Sequence, residues 1–332
     1  MKIFRRLSSR VKTISKNSVL TIGIFDGCHL GHQKILQKLI RRSRQLGVPA
    51  GLMTFHPHPE RILNHREIKL IQTMQQKLEY MKQAGLDYCL ILPMNKKLAG
   101  LSGEEFVRKY LKEKLGVGEV VVGENFRFGH NQSCGIKELR RSGRQHGIKV
   151  TAVKSVIWRR QPVSSSLIRR LLEKGQIGQA ARLLGRPYEI AGQVVRGKGF
   201  GRRLGFPTIN LKTANEILPS GVYAGLATVG NRVYPAAINI GFRPTFGGKG
   251  PSVEAHLLHF QGSLYGRKVI LKLYHRLRDE KKFSDTEALK NQIAADVEEV
   301  RKYFFRPDAK RRQLDFFPVL SKYSFFKKYP VR

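Results

Sequence analysis

The sequence predicts an α/β domain of parallel strands followed by a small antiparallel β-barrel that ends in a helix. Three observations carry that reading. The segment VLTIGIFDGCHLGHQKIL runs from an apolar strand pattern straight into a helical one, the chain turns β-rich after Arg186-Pro187, and an amphipathic segment follows the last strand pattern. With 332 residues the chain can form two domains of ordinary size, each with its own core. Its 41% hydrophobic content fits a globular chain rather than a disordered one. No apolar run approaches the ~18 residues needed to span a bilayer, and the basic start MKIFRRLSSRVK leads into no signal-type segment, so no membrane contact and a cytoplasmic location are expected. Cys28, Cys89 and Cys134 are odd in number, far apart and without CxxC spacing, which predicts free thiols.

The net charge is +38, with 36 basic against 12 acidic residues up to Pro187 and 26 against 12 beyond it. The excess is therefore no detachable tail. Such a field attracts polyanions weakly and without sequence preference, whereas specific nucleic-acid recognition would need a zinc finger, RNP or recognition-helix motif, and none accompanies the charge.

Val19 to Phe25 reads as a buried parallel strand, Asp26-Gly27 as a turn, and Ile35, Leu36, Leu39, Ile40 and Leu46 as the apolar stripe of a helix starting near Gly31. A strand-turn-helix junction aims the free N–H groups and positive dipole end of the helix at whatever lies above the sheet, and Gly31 lets an anion approach the backbone. The expected ligand is a phosphate, with Gly23, Phe25 and Gly31 as its binding candidates. His29 and His32 can donate hydrogen bonds as negative charge moves from an α-phosphate to departing pyrophosphate. A polar helix start with solvated histidines, a zinc site and a simple cap are the competing readings. Cys28 has two readings as well: a thiol activated beside the phosphate, or a small inert side chain packed on the strand.

The junction resembles the HxGH signature of the nucleotidyltransferase superfamily, whose Rossmann-like domains transfer a nucleotidyl group from ATP or CTP and expel pyrophosphate. His29 and His32 match its two histidines. Downstream, the strand Glu119 to Val122 leads into a polar loop with Asn125 and Arg127, and loops after parallel strands are where open α/β sheets bind ligands. TFHPHPE leaves another strand for a proline-stiffened loop, where His56 and His58 lack further ligands at metal spacing. In SSSLIRRLL, serines cap a helix whose first turn exposes Arg169, and Ser164, Ser165 and Arg169 together can hold the β- and γ-phosphates of ATP. That element resembles the family's serine-serine-threonine-x-isoleucine-arginine, with Ser166 in place of threonine.

Beyond Pro187, Tyr188 to Val195, Gly221 to Val229, Val233 to Ile240, Val253 to Phe260 and Lys268 to Tyr274 read as the strands of the barrel. The loop Gly197 to Gly205 offers phosphate-binding Gly197, Lys198 and Gly199, then enters the extended segment FPTIN. Alternation puts Thr208 and Asn210 on one side, where their oxygens can converge on Mg²⁺. Ser284 and Glu287 suggest a capping box for a helix with the stripe Leu289, Ile293, Val297 and Val300.

GRRLGFPTIN, LPSGVYAG, NIGFRPTF and VEAHLLHFQGSLYGRKVILKLYHRLRDEKKF together resemble riboflavin kinase. Joined to the upstream half, the chain from Ser18 to Phe304 resembles the prokaryotic bifunctional riboflavin kinase/FAD synthetase family, with Ile209 where alanine is usual and Cys28 where valine is common. The resemblance implies an FMN adenylyltransferase domain at 1–185, a riboflavin kinase domain at 186–305 and a basic, aromatic extension at 306–332. It makes Glu254 the base for the riboflavin 5′-hydroxyl, His58, Arg278, Glu280 and Phe283 flavin neighbours, and ATP, riboflavin, FMN and FAD the substrates and products. Separate ATP sites need no channel, and a monomer or weak oligomer is expected. Rival readings are a chain with one active half, an RNA-binding scaffold, and a class I aminoacyl-tRNA synthetase, which should carry a KMSKS-type loop that is not evident.

Overall fold

The computed structural model describes residues 1–63, 67–197, 199–242 and 251–305. Lys198 and the 306–332 extension lie outside the described residues, as does the end of NIGFRPTF beyond Phe242. The chain divides into two compact units, one formed by Met1–Lys69 with Met74–Ser165, the other by Leu70–Thr73 with the chain from Ser166 onward.

In the first unit, β1 (Lys2–Phe4), β2 (Val19–Ile22), β3 (Ala50–His56), β4 (Tyr88–Pro93), β5 (Glu119–Gly123) and β6 (Lys149–Val153) form one parallel sheet in the order β1-β4-β3-β2-β5-β6. Strand alternation feeds two cores. Leu20, Ile22, Tyr88, Leu90 and Leu92 pack on one face with Phe106 and Leu111, while Val19, Cys89 and Ile91 pack on the other with Leu36, Leu39 and Met81. A side chain on Gly51 would collide with the ring of its neighbour Tyr88, whose hydroxyl pairs with Ser18 Oγ at 2.7 Å. The chain builds β2, β3 and β4 outward on one side of β2, then crosses back to set β5 on the other. That reversal falls between β2 and β5, and the carboxyl ends of strands at such a point are where open α/β sheets bind ligands.

The helix Leu30–Leu46 forms where the sequence predicts it, ending at Gly47 in the left-handed conformation. Leu36 and Leu39 are buried, but Leu46 is 49% exposed and lies off the stripe expected of it. Strand β2 stops at Ile22 rather than Phe25, because Phe25 takes φ +53°, which no strand accommodates.

The second unit is a closed antiparallel barrel. Its strands β9 (Tyr188–Val195), β10 (Ile209–Thr213), β11 (Gly221–Val229), β12 (Arg232–Phe242), β13 (Pro251–Leu257) and β14 (Lys268–Arg278) close in the order β10-β13-β12-β11-β14-β9. Between the two groups, Ile157–Trp158 (β7) and Gln161–Pro162 (β8) make a small hairpin in the first unit. Strands β9 and β11 have the expected bounds, β12 and β14 run longer, and β13 ends earlier, before a turn in which His259 has φ +59°. The end of FPTIN leads into a sixth strand, β10, which closes the barrel. Ile238, Ile240, Val253, Ala255, Leu257 and Leu271 are buried, whereas Glu254 and His256 alternate with them on the outer wall.

The helix Thr286–Phe305 lies on that wall, its Val297 and Val300 packed with Ala224 and Leu258. Its cap is Asp285, whose Oδ1 accepts the Ala288 N–H at 2.7 Å, while Ser284 donates to the same carboxylate. The cap thus sits one residue later than the expected Ser284, since the acidic side chain is the stronger acceptor. Buried Asp296 on this helix takes a forked pair of bonds from Arg278, Nε at 2.9 Å and Nη2 at 2.7 Å. Among the described residues, no helix is long and apolar enough to cross a membrane.

Candidate functional site

The junction after β2 is a turn held under tension. Phe25, Gly27 and Cys28 all have positive φ, at +53°, +81° and +41°, and the two that are not glycine require compensation from their surroundings. Gln33 donates to the Cys28 carbonyl at 2.9 Å, and Ser165 Oγ donates to the Asp26 carbonyl at 2.8 Å. From beneath, the buried Lys77 ammonium on the helix Met74–Gln83 donates to the Ile24 carbonyl at 2.7 Å, where Thr54 Oγ1 donates as well at 3.4 Å. Burial pulls the Lys77 pKa down, opposed by the nearby Cys28, Asp26 and Cys89. Nothing in the polar stretch MQQKLEYMKQ marks this lysine as buried.

His29 caps the helix it precedes, its Nδ1 accepting the His32 N–H at 3.4 Å. An accepting Nδ1 leaves the ring proton of the neutral imidazole on Nε2, which is the donor a phosphate oxygen needs. The His29 and His32 rings stack at 3.7 Å, and Phe25 lies on His32 at 4.6 Å. Glycines make room for these rings: a Cβ on Gly31 would stand 3.1 Å from His29 Cε1, and one on Gly23 3.2 Å from the Phe25 ring. Phe25, at 3% exposure, thus packs against a histidine. Cys28 is fully buried and its Sγ donates to the Phe25 carbonyl at 3.4 Å, so of its two readings the packed, shielded thiol is the one observed.

Asn125 follows β5, the neighbour of β2, and lies exposed at the same sheet edge, its amide donating to Ser155 Oγ at 3.2 Å. Behind it Phe126 and Phe128 stack, and Phe128 packs on Phe106. His58 follows β3, half-buried, and accepts the Glu60 N–H at 3.2 Å. Ser164 is half-buried beside Ser165. Arg169, also half-buried, belongs to the helix Ser165–Glu173 and falls in the second unit.

The barrel's own candidates meet through strand pairing. Asn210 on β10 stands directly opposite Glu254 on β13, and Asn239 on β12 stands opposite Glu254 on its other side. Just beyond that ladder, His256 Nδ1 lies 2.9 Å from the carbonyl oxygen of Pro207, the residue before Thr208. Thr208, Asn210, Glu254 and His256 therefore share one patch of the outer wall.

A Cβ on Gly197 would lie 2.6 Å from Asn210 Cγ, and one on Gly201 3.1 Å from Thr208 Oγ1, so the glycine loop lies against these two side chains. Gly199 adopts φ +72° with open space around it. A hydroxyl and a carboxamide oxygen, with room left for phosphate oxygens, fit the hard-oxygen preference of Mg²⁺. Among the described residues, no cluster of three or more His, Cys, Asp and Glu offers a metal site. Farther round the barrel, Arg278 is engaged by Asp296, with its guanidinium 5.8 Å from the Phe283 ring, and the Glu280 carboxylate lies over Gly241.

Known proteins match along the length of the chain. A family model described as FAD synthetase matches residues 11–167, and one described as riboflavin kinase matches residues 184–304. Bifunctional riboflavin kinase/FMN adenylyltransferases are similar throughout. That of Buchnera aphidicola subsp. Schizaphis graminum is 36% identical over 310 residues, covering 92% of this chain and 99% of its own length. That of Pseudomonas fluorescens is 38% identical over 294 residues, covering 86% and 93%. That of Escherichia coli K12 is 33% identical over 307 residues, covering 92% and 98%. A solved structure from Streptococcus pneumoniae, described as a macrolide-efflux protein, superposes with a TM-score of 0.83 at 26% identity, covering 91% of this chain and 99% of its own.

Proposed function

We infer residue roles from one premise: the chain belongs to the bifunctional riboflavin kinase/FMN adenylyltransferase family. It phosphorylates riboflavin with ATP to FMN, then adenylylates FMN with a second ATP to FAD and pyrophosphate.

In adenylyl transfer, an oxygen of the FMN phosphate attacks the ATP α-phosphorus, the bond to the bridging oxygen breaks and pyrophosphate leaves. We assign this step to residues 1–185. His29, through Nε2–H, and His32 donate to the oxygens on which charge gathers, and the amides at Gly31 and the helix start share that charge. Gly23 and Phe25 shape the turn behind the histidines. Asn125 binds the nucleotide, Ser164, Ser165 and Arg169 hold the β- and γ-phosphates, and His58 sits by the flavin.

In the kinase step, assigned to residues 186–305, Glu254 takes the proton of the riboflavin 5′-hydroxyl as its oxygen attacks the γ-phosphorus, and ADP leaves. Thr208 and Asn210 would hold Mg²⁺, which neutralises charge on the phosphates when bound. Gly197, Lys198 and Gly199 give the phosphates their backbone donors. Arg278, anchored on Asp296, supports a flavin-side loop carrying Glu280 and Phe283.

The observation that carries the reading is the pairing of Asn210 with Glu254, the two residues proposed here as metal ligand and base. The chain is proposed to work in the cytoplasm as a monomer or weak oligomer, releasing and rebinding FMN, and to hold nucleic acid only weakly through its charge. Incubation with riboflavin, ATP and Mg²⁺ followed by separation of FMN from FAD tests the whole scheme. Asn210→Ala should stop FMN formation yet still make FAD from supplied FMN, whereas loss of both would overturn the division of labour.

A further inference from the structure

We propose that His256 is a positioning residue of the kinase site, holding Thr208 in place by its hydrogen bond to the Pro207 carbonyl. The inference rests on the reading that Thr208 and Asn210 bind Mg²⁺. His256 is two residues beyond Glu254 on β13, so both side chains emerge on the same face. Its Nδ1 lies 2.9 Å from the Pro207 oxygen. A carbonyl can only accept, so Nδ1 carries the proton. The ring is also fixed edge-on by Phe206, at 5.6 Å and 83°. Phe206 and Pro207 are the two residues immediately before Thr208. The peptide oxygen anchored by His256 therefore belongs to the bond that leads into the metal ligand.

No other described contact ties this stretch to β13 as directly. The ladder between β10 and β13 runs through Ile209 and Asn210 only, and stops short of Thr208. Asn210 needs no help, because the ladder holds its backbone on both flanks, against Glu254 and against Val195. Thr208 lies one step outside the ladder, at the mouth of a glycine loop, where the backbone would otherwise be free to swing. His256 extends the ladder by one rung with a side chain. The same strand thus carries the base and fixes the distance from that base to the metal.

The test uses the full chain, in which FAD formation from supplied FMN reports on the other unit. His256→Ala should raise the KM for Mg·ATP in FMN formation about tenfold, as expected for one lost structural hydrogen bond, with a smaller change in kcat. FAD formation should hold. Mn²⁺ uptake with ADP, followed by electron paramagnetic resonance, should weaken in His256→Ala, with Thr208→Ala defining how much of the signal belongs to this site.

Asparagine can place an N–H where Nδ1 stood, and glutamine only where Nε2 stood. His256→Asn should therefore recover most of the metal affinity and His256→Gln should not, a contrast between two polar variants that a general loss of packing would not produce. Wild-type Mn²⁺ uptake and KM in His256→Ala, alongside a loss in Thr208→Ala, would overturn the role of His256 alone. Equal behaviour of the Asn and Gln variants would overturn it too. Wild-type uptake in Thr208→Ala would remove the metal reading and this inference with it.

Discussion

The two sites are assembled in opposite ways. In the first unit the groups proposed to act on the phosphate are sequence neighbours: His29 and His32 stack on one another, and a turn with three positive-φ residues places them. In the barrel the groups come from distant parts of the chain: strand register puts Asn210 beside Glu254, and a hydrogen bond ties His256 to the Pro207 carbonyl that precedes Thr208. The first arrangement stores strain in a few residues and needs props from below. The second spreads its positioning over a hydrogen-bonded ladder that exists for other reasons. Local damage should therefore be sharp in the first unit and graded in the second, except at the base itself.

The largest effect should fall on that exception. Glu254→Gln keeps shape and removes the base, so FMN formation is expected to drop about 10²- to 10⁴-fold while FAD formation from supplied FMN stays intact. A drop in both, measured on one preparation, would erase the contrast between the units. Next comes His32→Ala, with an expected loss of roughly 10²- to 10³-fold in FAD formation and little change in riboflavin phosphorylation. Retained FAD synthesis would mean that the stacked pair is only a polar helix start.

Lys77→Met sharpens the comparison, because it leaves the proposed phosphate-facing groups in place and removes the shorter of the two bonds to the Ile24 carbonyl under the turn. FAD formation is expected to fall about tenfold through kcat, with FMN formation unchanged in the same chain. An unchanged kcat would show that the turn holds itself. The smallest effect belongs to Cys28→Ala, expected to alter either activity by no more than about twofold, since the thiol is buried in the core and its bond to the Phe25 carbonyl is weak. A thiol-alkylating reagent should likewise spare FAD synthesis in the folded chain, and rapid inactivation that ATP prevents would show the sulfur to be reachable.

How legible each site is in the sequence follows from the same contrast. The HxGH junction can be read directly, because its geometry is set within a few residues by a strand pattern, a turn dipeptide and a helical stripe. What supports it cannot: Lys77 sits in a stretch that reads as a solvated helix, and lysine is rarely buried. In the barrel, alternation places Thr208 and Asn210 on one face, yet alternation within one strand says nothing about which strand lies alongside. The partnership with Glu254 and His256 is a fact of register between segments far apart in the chain. For the same reason β10 reads as a short extended piece rather than the strand that closes the barrel. The three-residue β1 carries too short a pattern to be read at all, and the helix cap moves from Ser284 to Asp285 because adjacent cap-forming residues compete for the same N–H groups.

Strand β13 divides its labour at single-residue resolution. Val253, Ala255 and Leu257 are turned into the barrel and almost fully buried, while Glu254 and His256 between them face outward. A scan of substitutions along this strand should therefore beat with a period of two. At odd positions a variant costs folded protein and leaves the specific activity of the surviving molecules near normal. At Glu254 and His256 the yield is normal, and the loss falls on turnover at the first and on Mg·ATP binding at the second. Selection on solubility and selection on catalysis then act on interleaved letters of the same short word, so the barrel can be made hardier or its chemistry altered with little trade between the two.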